Sequence, residues 1–456
     1  MDLETIEIRN YIGGVKRESN EVQNLEDVLG KVIGNIHMST EEQVRRAKRA
    51  IHHAKISSLE ISEIQEVIQR IPRFYFQDKK SKDIVSKLSG NPLSYVEKKV
   101  VAMNTWMENI PNFVAEVFQE RYQRTGDKAS HVYSSKGPVV SILAQNIDVN
   151  VAYILTQILL SKSPAIIRPS IAGAGAYTSL EYLNALEKAI DSLGQTKNED
   201  LEGVLQMINL SHEGKNELLL DKLHVENASY VLFGSDLNLR NMEEYLASQY
   251  KVPKNRVISM GTGCSISVIL EDATLGSTIK SLMDSCVFGR GADCTSTHIV
   301  YIPQSRYEEI NKALNKSAGK FENGMKEELG VLGKRNIQNL ETELRKTYSG
   351  GVEIIDARED WTQVQEIPGP VLYVRTFSEK EDAVQKIRRD LERSHIQRNL
   401  VTSIYTSSPS SYKELTQKLP SFTFRMNRGT EQIDYMHEHQ GSYILKNLVN
   451  MKVVEF

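Results

Sequence analysis

The sequence predicts an α/β protein: two doubly wound α/β domains with a small β arm. Three observations predict it. From Gly137 onward, short apolar runs alternate with helical segments, as in a parallel sheet covered on both faces. A second alternation of the same kind starts at Ile266. Before the first alternation lies a polar stretch, Arg121 to Ser135, with Gly126 and Asp127 at a turn position, which reads as a projecting hairpin of the kind that makes subunit contacts. The expected division is 1–120 with 137–255 for one domain, 256–425 for the other, and 121–136 with 426–456 for arm and tail.

The elements follow in order. Residues 1–35 read as short strands and turns, with Ile6-Glu7-Ile8 a strand and Gly13-Gly14 a turn. From Thr40 to about Tyr122 the period is helical. Val44, Ala47, Ala50 and Ile51 share one face, Ile61, Ile64, Val67, Ile68 and Ile71 another, and Pro111 marks a break. Pro138 to Leu143 and Ala165 to Arg168 read as strands, with helices over 149–160 and 174–193. Val204 to Ile208 and Tyr230 to Leu232 are two more strands, each followed by a helical segment. In the second half, strands are expected at Ile266 to Leu270, Ile299 to Ile302, Val371 to Val374 and Leu400 to Tyr405. The charged stretch 305–345 and residues 379–392 read as helical, and the tail is polar, then apolar.

Bulk composition narrows the function. At 456 residues, with 40% hydrophobic and 25% charged side chains, the chain has the profile of a globular protein with a large core. A formal net charge of -3 points to neither nucleic acid nor an anionic membrane. Three cysteines are too few for a disulfide framework and suit a reducing cytoplasm, the expected location. Met1-Asp2-Leu3-Glu4 has neither the basic region nor the apolar core of a signal peptide, and no apolar run is long enough for a membrane span. The ten histidines show no metal-ligand spacing, so no metal site is expected.

One stretch stands out as a candidate site. Leu275, Ile279, Leu282, Met283 and Cys286 form one apolar helix face, and Ile299 begins a β-branched run. Between them lies Gly289-Arg290-Gly291-Ala292-Asp293-Cys294, a glycine turn with a cysteine at its exit. A thiol there sits on rigid elements, with room for a ligand to approach. Asn146, at the end of the first strand, reads either as a turn former or as an oxyanion donor. Arg168 and Ser170, in Arg168-Pro169-Ser170, end the next strand, where Arg168 reads either as an ordinary surface cation or as one holding a ribose or phosphate at the mouth of the sheet. Gly234-Ser235 precedes a helix, where free N–H groups either accept a cap or bind a pyrophosphate. Glu366, in Glu366-Ile367-Pro368-Gly369-Pro370, reads either as a capping or solvated carboxylate or as an acceptor for ribose hydroxyls. No G-x-G-x-x-G fingerprint follows any strand.

Asn146, Arg168, Gly234-Ser235, Cys294 and Glu366 stand in an order and spacing that resemble the aldehyde dehydrogenase superfamily over roughly residues 30–455. Asp272-Ala273 resembles the start of the family's helix before its nucleophile. The resemblance implies a cofactor-binding domain, a catalytic domain around Cys294, an oligomerisation arm, and a homo-dimer or homo-tetramer. It gives catalytic roles to Cys294 and Asn146, and cofactor binding to Arg168, Ser170, Gly234, Ser235 and Glu366.

Hydrolytic members carry a general-base Glu upstream of the cysteine, and here Ser259 occupies that position. A hydroxyl is no base near neutral pH. That departure, with Ile142 to Ile147, resembles the acylating branch, the acyl-CoA reductases, which includes the fatty-acid reductase subunit of bacterial bioluminescence. The expected reaction is therefore reduction of an acyl thioester to an aldehyde through an acyl-cysteine, with an acyl-CoA or carrier-bound acyl donor. The alternatives are hydrolytic aldehyde oxidation, using Glu271 or Asp293 as base, and a non-catalytic binding subunit. Ile171 places no carboxylate where NAD-preferring relatives have one, and Arg168 offers a bidentate partner to a 2′-phosphate, so NADPH is expected, with NADH possible.

Overall fold

The computed structural model describes residues 5–119, 129–145, 147–193, 201, 203–211, 216–261, 263–291, 293–319, 352–358, 369–393, 399–431, 435 and 443–455. The chain forms two compact units: Met1–Gly261 with Asp434–Glu438 and Ser442–Phe456, and Thr262–Ile433 with His439–Gly441.

The first unit opens with β1 (Ile6–Ile8), β2 (Asn10–Ile12), β3 (Val15–Arg17), β4 (Val22–Glu26) and β5 (Val32–His37). Gly13 and Gly14, both at positive φ, turn β2 into β3. Five helices follow: α1 (Glu41–His53), α2 (Ile61–Arg70), α3 (Lys79–Ser89), α4 (Leu93–Glu108) and α5 (Ile110–Gln119). Thr40 and Gln43 close a capping box on α1. Pro111 lies in the first turn of α5, where a missing N–H costs nothing, so the break falls at Asn109. The α/β part is β6 (Ala129–Ser135), β7 (Val139–Ile142), α6 (Val151–Leu160), β8 (Ala165–Arg168), α7 (Gly175–Asp191), β9 (Leu205–Met207), α8 (Asn216–Leu223), β10 (Ser229–Phe233), α9 (Asp236–Gln249) and β11 (Val257–Met260).

Its main sheet runs β11-β10-β7-β8-β9-β2-β3. The first five strands are parallel, and the β2–β3 hairpin adds antiparallel through Tyr11 and Met207. One face buries Val140, Ile142, Ile166, Tyr230 and Leu232 against Val44 and Ala47 of α1 and Leu239 and Leu246 of α9. Every residue of α6 is buried, which is why its sequence shows an apolar block rather than a stripe. β11 carries the sheet beyond residue 255, where the sequence suggests the domain ends.

The second unit comprises β12 (Cys264–Ile269), α10 (Leu275–Val287), β13 (Thr297–Pro303), α11 (307–319), β14 (Glu353–Asp356), β15 (Val371–Phe377), α12 (Lys380–Arg393), β16 (Asn399–Tyr405), α13 (Pro409–Lys418) and β17 (Thr423–Met426). The sheet is parallel throughout, ordered β14-β15-β13-β12-β16-β17. Alternate residues of β13 go to opposite faces. Ile299 and Tyr301 pack with Val384 and Ile387 of α12, while Val300 and Ile302 pack with Leu282 and Met283 of α10. Of the expected 305–345 helical stretch, 307–319 is helical, and the part from 320 lies outside the described residues.

The tail returns to the first unit. α14 (Ile444–Leu448) leads into β18 (Val449–Glu455), which pairs antiparallel with β6 from Ser135 to Ala129. Residues 129–135 of the expected arm and 449–455 of the tail thus form one two-stranded sheet, and residues 121–128 of the expected hairpin lie outside the described residues. Among the described residues no helix is long and apolar enough to cross a membrane, and no His, Cys, Asp and Glu group is placed to hold a metal ion.

Candidate active site

The cysteine turn lies within the second unit. α10 buries Ile279, Leu282, Met283 and Cys286, then gives way at Phe288 to a single tight turn, Phe288–Gly291. Gly291 has φ +69°, and a Cβ there would run into the carbonyl of Gly369. The same backbone contact is a hydrogen bond, Gly369 N–H to Gly291 O at 3.2 Å. Only glycine allows this crossing. The turn closes on itself. The Ser296 amide donates to Asp293 O at 2.8 Å, and the Ser296 hydroxyl donates to Phe288 O at 2.6 Å.

Cys294 is half-buried at the exit. Its S–H points at Asp293 Oδ1, 3.8 Å away. The same oxygen accepts the Thr295 amide at 3.1 Å and the Thr295 hydroxyl at 2.9 Å. The Ser265 hydroxyl, from β12, donates to the Cys294 carbonyl at 3.4 Å. A buried carboxylate therefore faces the thiol and is fixed by its own neighbour. Cys286, by contrast, is fully buried, and burial pushes its thiol up to about 12. His298 is a buried strand residue whose Nδ1 lies 3.4 Å from Val371 O. Burial pulls its imidazole down to about 4, against a weaker opposing effect of that backbone contact. Glu271, the other carboxylate considered as a base, is exposed and accepts the Ser305 hydroxyl at 2.6 Å.

The other predicted site residues belong to the first unit, apart from Glu366. Asn146 and Glu366 themselves lie outside the described residues. The segment around Asn146 is anchored on both sides. The Leu143 amide donates to Arg168 O at 3.0 Å, and the Tyr75 hydroxyl donates to Val149 O at 3.3 Å. Asp148 forms a buried ion pair with Lys99 of α4 at 3.1 Å and accepts Asn91 Nδ2 at 3.1 Å. Arg168 ends β8 with its guanidinium buried, and both Nε and Nη2 donate to Leu210 O, at 3.0 and 2.8 Å. Burial lowers its pKa to about 10. Ser170 is buried, its hydroxyl accepting the Ala172 amide at 3.3 Å. Ser235 caps α9 by accepting the Asn238 amide at 3.4 Å. At Gly234 a Cβ would meet nothing nearer than 3.9 Å, so the chain's own packing does not demand a glycine.

Sequence reasoning missed two partners. The Ser259 hydroxyl, on β11, donates to the Glu243 carboxylate on α9. Lys99 and Asp148 meet across 49 positions, and no local pattern announces the pair.

Known proteins agree with this architecture. A profile of the aldehyde dehydrogenase family matches residues 15–355. A Staphylococcus haemolyticus protein named as an aldehyde dehydrogenase is 23% identical over 423 residues, covering 84% of each chain. The NAD+ complex of a Bacillus cereus aldehyde dehydrogenase superposes with a TM-score of 0.78 at 16% identity, over 99% of this chain and 96% of that one. A lactaldehyde dehydrogenase gives 0.76 at 17% identity, over 99% and 100%. Those superpositions speak for the fold and the matched span for the family: the chain belongs to the aldehyde dehydrogenases.

Proposed function

We propose that the chain is an NAD(P)-dependent aldehyde dehydrogenase working through Cys294. One observation carries the reading: a half-buried thiol on a glycine-pinned turn, its S–H directed at the buried Asp293 carboxylate. When an aldehyde carbon meets Sγ, a C–S bond forms, the thiol proton passes to Asp293 and the carbonyl oxygen takes the negative charge. The Asn146 side-chain amide and the Cys294 N–H are assigned to that oxyanion.

Gly234, Ser235, Arg168, Ser170 and Glu366 are assigned to cofactor binding. Gly234 supports this, because its missing side chain leaves room beside the N-terminus of a 14-residue helix. A bound NAD(P)+ would supply the hydride acceptor for oxidising the thiohemiacetal to an acyl thioester on Cys294. Once Asp293 has released the thiol proton to solvent, its carboxylate takes a proton from the water that attacks the thioester and passes it to the departing Cys294 sulfur as the acid leaves. The phosphorylated cofactor, NADP+ in the oxidising direction, is preferred on the strength of Ile171 alone, since two of the Arg168 donors expected to pair with its 2′-phosphate are held by Leu210. A homo-dimer or homo-tetramer is the assigned assembly.

The test is a rapid-mixing measurement of reduced cofactor with an aldehyde panel. Cys294→Ala should abolish product, and Asp293→Asn should slow the burst by roughly a hundredfold, the low end of general-base effects. Full activity in Cys294→Ala overturns the reading.

One observation favours a second reading. Ser259 stands where hydrolytic relatives are expected to carry Glu, and its hydroxyl is committed to Glu243. If water is not activated, the acyl-Cys294 waits for a hydride or a thiol, and the chain reduces an acyl-CoA or a carrier-bound acyl group to an aldehyde with NADPH. NADPH consumption across acyl-CoA chain lengths, with no carboxylate formed from aldehyde, would select this branch.

A further inference from the structure

We propose that Thr430 is a positioning residue for the nucleophile, clamping the Cys294 turn from a segment distant in sequence. This rests on Cys294 as the nucleophile. Thr430 is fully buried just after β17. Its hydroxyl donates to the Thr295 carbonyl at 2.5 Å, on the residue that follows Cys294. Having spent its proton there, the Thr430 oxygen is left to accept from the Thr297 hydroxyl, 2.9 Å away at the start of β13. One side chain thus bridges both sides of Ser296, the residue whose amide closes the turn on Asp293.

Thr430 is itself held. Its amide donates to Ser285 Oγ on α10 at 3.0 Å, and the Ser285 hydroxyl donates to Glu431. Ser285 and Thr295 lie on opposite sides of the glycine turn, so Gly429-Thr430-Glu431 braces the helix and the thiol loop together. Ser265 adds a hydrogen bond to the Cys294 carbonyl from β12. In a buried setting, removing the Thr430 hydroxyl leaves the Thr295 carbonyl without this donor, and the loop must shift to find another. A nucleophile displaced by about 1 Å can lose up to a hundredfold in rate.

The test uses the full chain. Thr430→Val keeps the volume and removes the hydroxyl, while Thr430→Ser keeps the hydroxyl. The expected result is a fall in kcat of at least about tenfold in Thr430→Val, KM for aldehyde within about twofold, slower alkylation of Cys294 by iodoacetamide, and recovery of kcat in Thr430→Ser. Wild-type kcat and alkylation in Thr430→Val would overturn the proposal. So would equal losses of kcat in Val and Ser variants that track their melting temperatures. If Thr430→Val does not fold, Ser285→Ala loosens the same brace from the other side and must lower kcat while KM holds; unchanged kcat there also overturns it. Cys294→Ala runs in parallel. If that variant stays active, the nucleophile assignment has failed, whatever Thr430 does.

Discussion

Cys286 and Cys294 flank one turn, and their surroundings divide them. The first is sealed in the α10 face and its thiol is pushed up to about 12. The second is half-buried beside a carboxylate. His298 illustrates the same rule for a base. In the unfolded chain its imidazole titrates near 6.5, and in the fold near 4. The unfolded state therefore binds the proton first. His298 contributes its stability fully above pH 6.5, and loses it as pH falls toward 4, by at most about 3 kcal/mol. His298→Gln should flatten that part of the urea-unfolding curve. An unchanged slope between those pH values would count against a buried neutral imidazole.

At the scale of elements, the segment after β7 is held by a buried ion pair as well as by backbone hydrogen bonds. Lys99 of α4 and Asp148 lie 3.1 Å apart, each about 3% exposed. Such a pair is weak evidence for net stability, but breaking one half strands a buried charge. Lys99→Met should cost about 3–5 kcal/mol, read from denaturant midpoints at constant m-value. A loss under 1 kcal/mol would mean that water reaches Asp148.

This pair also shows where the sequence falls silent. The Cys294 turn is legible because a helical period, two glycines and a β-branched run lie side by side. The Asp148–Lys99, Thr430–Thr295 and Ser259–Glu243 contacts join residues 49, 135 and 16 positions apart. Nothing in either local stretch specifies its partner. Arg168 is a subtler case: its place at a strand end is readable, but the Leu210 carbonyl that takes up two of its donors is visible only in three dimensions.

At the scale of the molecule, the two parallel sheets follow from strand–helix alternation, and all the expected strands of both halves are present. The antiparallel β2–β3 extension of the first sheet was not legible, since Tyr11 meets Met207 only after the chain has folded. Nor was the pairing of β6 with β18, which unites an internal arm with the tail. Among the described residues this sheet has no third strand, and open edges of this kind pair with further strands. On the assigned homo-oligomer, deleting 449–456 should remove half of this sheet and shift the protein to monomer in light scattering. An oligomer of unchanged mass would place the subunit contact elsewhere.

The crossing of Gly291 with Gly369 carries a last consequence, at the level of the gene. Glycine codons reach only residues with a side chain by any single missense change. Each of these would drive a Cβ into the Gly369 carbonyl and strain a positive φ besides. Position 291 therefore has no conservative neighbour in mutational space, and the cysteine turn can drift in sequence around that glycine but not through it.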